Sequence, residues 1–143
     1  MSNESVSFLL DTNAVSEWVK PRPNPGLIAW MESVDEDRLF ISVVSLAELH
    51  YGVERLPAGR RRDRLGQWLH QELPLRFEDR ILAVDTNVAE AWGKTVSRGE
   101  AAGRPIGAMD AFVAATAESR YLTLVTRNVS DFPMLGTILN PWT

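Results

Sequence analysis

Cysteine is absent from the 143 residues, so neither a disulfide framework nor a thiolate-ligated metal site can be built. The absence fits a reducing, cytoplasmic setting. No apolar run approaches the ~20 residues that span a bilayer, and the polar opening MSNESVS is no signal peptide, so no membrane association is expected. An excess of positive charge is missing too. The net charge of -4 argues against a broad basic surface for holding nucleic acid. It leaves open a nuclease whose metal ions supply positive charge locally. A Gly-rich phosphate loop, a dinucleotide fingerprint and a nucleophile elbow are all lacking.

What remains is ordinary for a globular protein. Hydrophobic residues make up 45% and charged residues 24%, and the length points to one domain over residues 1–143. The basic residues are unevenly placed: ERLPAGRRRDRL gathers Arg55, Arg60, Arg61, Arg62 and Arg64. That run is either the solvated start of a helix or a contact for a phosphate backbone or a partner. Strand-like VSFLL, RLFIS, RILAV and YLTLVTRN alternate with helical segments, and GTILNPW can add a last strand. The first helix is expected to be capped by Thr12 or Asn13, the one after RLFIS by Ser42. RRRDRLGQWLHQEL reads as an amphipathic helix closed by Pro74. The alternation predicts an α/β fold with a mostly parallel central sheet.

One turn occurs twice. FLLDTNAVSEW and ILAVDTNVAEAW each run from an apolar stretch through Asp-Thr-Asn into a helix, placing Asp11 and Asp85 at two strand ends. Their surroundings otherwise differ, so this is a local solution used twice and no duplicated domain. In an open parallel sheet, ligands bind beyond the carboxyl ends of the strands. Asp11, Asp85, Asn128 and Asp131 all fall there. Asp110 is conspicuous for another reason, having Ile106, Val113, Ala114 and Ala117 on its helical face. A carboxylate on so apolar a face needs a partner, a cation above all, unless it only complements the helix dipole. Glu48 has small Ser45 and Gly52 as helical neighbours, which leaves room beside it, although a surface acid would look the same. Asp11 alone could be a helix cap. Carboxylates converging from distant segments on one sheet edge have one economical cause, a divalent cation. Oxygen ligands with only His50 and His70 available favour Mg²⁺, or Mn²⁺ as substitute, over Zn²⁺.

At these residues the chain resembles the PIN-domain ribonuclease toxins, specifically the VapC family and its FitB-like branch. The resemblance is carried by FLLDTNAVSEW, ISVVSLAELHYGV, IGAMDAFVAATA, LVTRNVSDF and ILNPW, in order and nearly end to end. It implies a three-layer PIN-like fold and a Mg²⁺-dependent endoribonuclease, the toxin of a type II toxin–antitoxin system. It implies metal ligation by Asp11, Glu48 and Asp110, with Asn128 or Asp131 in the fourth acidic position. Asp85, on an outer strand, is then only a helix cap. Implied partners are a VapB-like antitoxin, whose C-terminal segment lies over the acidic cleft, an RNA substrate and a second copy of the chain. The helices between Ser42 and Pro74 are the expected walls of the antitoxin groove. Two rival readings are a phosphatase with Asp11 as nucleophile, disfavoured by Asn13 where a second Asp is usual, and a catalytically silent module that binds a partner in its acidic cleft.

Overall fold

The computed structural model describes residues 6–143; residues 1–5, most of the MSNESVS opening, lie outside the described residues. Among the described residues five short strands form the centre: β1 (Phe8–Leu10), β2 (Leu39–Ser42), β3 (Ile81–Leu82), β4 (Thr123–Val125) and β5 (Ile138–Leu139). All neighbours are parallel and the order is β3-β2-β1-β4-β5, so β1 is central and β3 lies at an edge. Parallel strands need crossovers, and among the described residues seven α-helices supply them. These are α1 (Thr12–Trp18), α2 (Pro25–Glu32), α3 (Val43–Glu54), α4 (Arg60–Gln67), α5 (Leu73–Phe77), α6 (Thr86–Ala101) and α7 (Ala108–Ser119).

Alternation along β1 divides the core in two. Leu10 faces a cluster with Val15, Leu27, Leu49, Leu69, Leu73 and Phe77, whereas Leu9 faces Val113, Ala114, Ala117 and Leu122. The sheet is therefore covered on both faces, as its near-continuous apolar strands require. This is the three-layer α/β arrangement expected from the sequence. Among the described residues no helix is long and apolar enough to cross a membrane.

Two local expectations need correction. Pro74 does not close its helix. The chain runs from α4 through a π-helical segment, Trp68–Glu72, into α5, and the Leu73 N–H donates to the Trp68 carbonyl five residues back. The widened turn sets Pro74 in the first turn of α5, where its missing N–H is not needed. Burial of Leu69, Leu73 and Phe77 along one side outweighs the local proline signal. The cap of α1 is also neither Thr12 nor Asn13. It is Asp11, whose Oδ1 accepts from the Thr12 N–H at 2.8 Å. Ser42 caps α3 as expected, its Oγ accepting from the Val44 N–H at 3.0 Å.

Candidate metal centre

Strand order reverses beside β1, and a crevice opens there beyond the carboxyl ends of the strands. Asp11 directly follows β1. Asn128 and Asp131 bound the 3-10 turn after β4. Glu48 comes from α3, which β2 feeds, and Asp110 from the first turn of α7. All five line one cavity of about 330 Å³. Asp85 does not join them. On the edge strand's turn it caps α6, accepting from the Val88 N–H at 2.9 Å, and Arg120 stands 3.7 Å from its other oxygen. The repeated Asp-Thr-Asn turn thus starts two helices, but only its first copy faces the crevice.

Asp11 is 6% exposed and held at both oxygens. Oδ1 serves the Thr12 N–H, and Oδ2 accepts from the Thr126 hydroxyl at 2.9 Å. Thr126 is itself fully used. Its Oγ1 accepts from Asn13 Nδ2 at 3.1 Å and from the Asn128 N–H at 3.0 Å. With one donor and two lone pairs engaged, its hydroxyl proton can point only at Asp11. Asn13 completes the frame by accepting the Arg127 N–H at 3.2 Å. Across the cavity, the Thr12 hydroxyl donates to Glu48 Oε1 at 2.6 Å. Beside Glu48, Gly52 lines the adjoining groove, and a Cβ there would meet nothing within 4 Å, so the room inferred from small neighbours exists. His50 does not face these acids; its ring packs against His70 at 4.9 Å.

The charges repel. Burial raises the Asp11 pKa most, against the lowering effect of its Thr126 and Thr12 hydrogen bonds, and Glu48 and Asp131 raise it further. Asp110 is pushed up to about 6, first by burial, then by Asp11, Asp131 and Glu48. Such a set suits a divalent cation, with oxygen donors only and an electrostatic strain that positive charge would relieve. Among the described residues no three His, Asp or Glu side chains form a ready-made cage. Mg²⁺ does not require one, since it commonly keeps several waters and is held by one or two carboxylates plus substrate phosphate oxygens. The donor set therefore fits such an ion.

A pH dependence follows. The Asp110 pKa is higher in the fold than in the unfolded chain, so protonation favours the fold. That contribution is complete below about 4 and lost as pH rises through about 6. In EDTA, thermal stability is expected to fall between pH 5 and pH 7.5, and Asp110→Asn is expected to flatten the fall. Mn²⁺ should raise the melting temperature at pH 7.5 and barely at pH 5, where protons compete. Equal Mn²⁺ effects at both values in thermal scans would refute this account.

The crevice also holds residues that sequence reasoning passed over. Glu17 is buried in its wall and accepts from Lys20 Nζ at 2.9 Å and the Asn24 N–H at 2.8 Å. Lys20, then the Asn24 bond, hold its carboxyl below the usual range despite burial. It sat unnoticed in TNAVSEW because a helical carboxylate close to a lysine looks like surface. Thr126 lay within LVTRNVSDF, and only the packing shows that its hydroxyl is buried.

Comparison with known proteins agrees with this geometry. The PIN domain family matches residues 8–133. The chain is 36% identical over 136 residues to "Toxin FitB" of Neisseria gonorrhoeae, covering 94% of this chain and 98% of that one. It is 32% identical over 136 residues to "VapC ribonuclease Y4jK" of Sinorhizobium fredii, covering 94% and 97%. The crystal structure of FitAcB from Neisseria gonorrhoeae superposes with a TM-score of 0.88 at 36% identity, over 94% of this chain and 98% of that one.

Proposed function

The chain belongs to the PIN-domain family, among the VapC ribonuclease toxins of toxin–antitoxin systems, and from that premise we propose that it hydrolyses RNA phosphodiester bonds in its acidic crevice with Mg²⁺. One observation carries the assignment of the site. Carboxylates from four separate segments line one cavity at the switch point of the sheet, where burial first and their mutual repulsion second leave Asp110 with a pKa of about 6. Asp11 and Asp110 would hold the ion. Glu48, oriented by the Thr12 hydroxyl, would hold an outer water, and Asp131 and Asn128 would complete the rim. When bound, a divalent cation supplies neutralisation of phosphate charge, polarisation of a phosphoryl oxygen and a lower pKa for water. The chain's own part is to fix Asp11 through Thr126 and to accept the proton of the attacking water at Glu48 or Asp131. The products would carry a 5′-phosphate and a 3′-hydroxyl.

EDTA in excess is expected to stop cleavage of total RNA, and added Mg²⁺ or Mn²⁺ to restore it. Cleavage that persists in EDTA would end the reading. The phosphatase alternative is poorly served, because both oxygens of the buried Asp11 are engaged and Asn13 supplies donors instead of a second acid.

A groove of about 430 Å³ adjoins the crevice, sharing Thr12, Ser16, Lys20 and Glu48 with it. Its walls are mostly apolar, with Leu49, Val53 and Trp68, and Arg61 and Arg64 stand among them. We place the C-terminal segment of the antitoxin here, delivering a cation to the carboxylates. Removing that segment is expected to abolish inhibition; an antitoxin that still inhibits without it would refute the placement. The whole chain is taken as one such domain, active as a homodimer.

A further inference from the structure

Two side chains on the wall of the acidic crevice have no part in holding an ion, Arg127 and Trp142. Arg127 follows Thr126 directly, and its backbone is tied to Asn13, so its Cα belongs to the frame that fixes Asp11. Its side chain is exposed. The other cation of this wall, Lys20, is paired with Glu17 at 2.9 Å. The ion pairs among the described residues do not include Arg127. Its guanidinium makes none of these close ion pairs, although its charge is felt at Glu17, and beside the carboxylates it matches a phosphate, which the acids alone would repel.

Trp142 is held in place through its neighbours in the chain. Asn24, the cap of α2, donates from Nδ2 to the Thr143 carbonyl at 3.0 Å and accepts the Thr143 N–H on Oδ1 at 3.1 Å. Asn140 Oδ1 accepts the Trp142 N–H at 3.0 Å. Gly26 allows the close approach, for a Cβ there would lie 2.5 Å from the Pro141 carbonyl oxygen. The indole packs partly on the core cluster of Leu10 and Phe77, yet its own N–H is buried without an acceptor. Core packing alone does not explain a tryptophan whose polar edge goes unsatisfied while the residue walls a polar cavity.

The geometry points to a nucleotide grip across the crevice: Arg127 takes a phosphate next to the scissile one, and Trp142 stacks on the adjoining base, which sets the register of RNA over Asp11 and Asp110. Stacking of this kind tolerates many sequences, and the single cation adds a salt-dependent share of affinity. The inference rests on the ribonuclease reading.

The probe is a labelled 15-nucleotide RNA spanning a site that the wild type cuts in total RNA with Mg²⁺. Trp142→Leu is expected to raise KM about 5- to 150-fold, the span of one lost stacked base, with kcat nearly kept. Trp142→Phe should recover most of that loss. Gly26→Ala, which displaces residues 141–143 without touching the indole, should raise KM in the same direction. RNA lacking the stacked base should weaken the wild type by the same factor and Trp142→Leu by nothing further. Arg127→Gln should lower the slope of log KM against log salt by about one, while Arg127→Lys keeps it. Melting temperatures verify that each variant is folded. Cleavage by the wild type with KM and salt slope unchanged in the folded variants overturns the grip and leaves the ribonuclease reading standing. The same holds if the variants lose only antitoxin affinity, which would assign the wall to a protein partner. No cleavage by the wild type with either metal overturns both.

Discussion

Asp11→Asn is expected to abolish RNA cleavage and the growth arrest that follows expression, while the protein stays folded. The loss should exceed the about 10–100-fold that removing an outer partner of a metal ligand costs, since here the proposed ligand itself goes. The substitution is nearly isosteric but reverses one hydrogen bond. In one orientation its amide group faces the Thr126 hydroxyl, whose lone pairs already serve Asn13 and Asn128; in the other it faces the Thr12 N–H. An unsatisfied donor costs about 1–3 kcal/mol. Against this, a buried carboxylate with a raised pKa is removed. The two effects oppose, so the melting temperature in EDTA should move little. Expression of both forms in a bacterium, with sequencing of new 5′ ends, measures the first half; thermal scans measure the second. An Asp11→Asn protein that still cuts RNA would end the metal-site assignment.

Phe77→Ala should be the most damaging single change to stability. Phe77 is fully buried at the end of α5, edge-on to Trp18 at 6.4 Å, and Arg80 covers its ring at 5.0 Å. Truncating a buried Phe costs about 3–5 kcal/mol. At about 2–4 °C per kcal/mol for a chain of this size class, the midpoint should fall by about 6–20 °C. Trp18 is the last residue of α1, the helix that Asp11 caps, so loss of the ring should also loosen the crevice. A urea titration showing under about 1 kcal/mol would contradict this view of the core.

Local chemistry made much of this molecule readable. Apolar runs mark the strands, Ser42 declares itself as a cap, and the out-of-place acid at Asp110 points to a site, whereas the cap role of Asp85 follows only from the family resemblance. Signals that depend on distant residues were hidden. Pro74 reads as a stop in any window of sequence, and only the burial of Leu73 and Phe77 carries the helix past it. Glu17 and Thr126 gain their meaning from neighbours elsewhere in the chain, Asn24 for one and Asp11 for the other. The sequence offers Asn128 and Asp131 as alternatives for a fourth position, and both line the cavity, so it poses a choice the fold does not force.

The bond between Asp11 and Thr126 joins groups 115 positions apart, and that between Thr12 and Glu48 spans 36. The central strand leaves the ribosome long before its companion β4. Closing so long a loop is slow compared with forming a helix. A nascent chain still short of Thr126 therefore has its first acid without the hydroxyl that aims it. The crevice of this molecule therefore comes into being only after Thr126 has joined the fold, long after its first acid has been made.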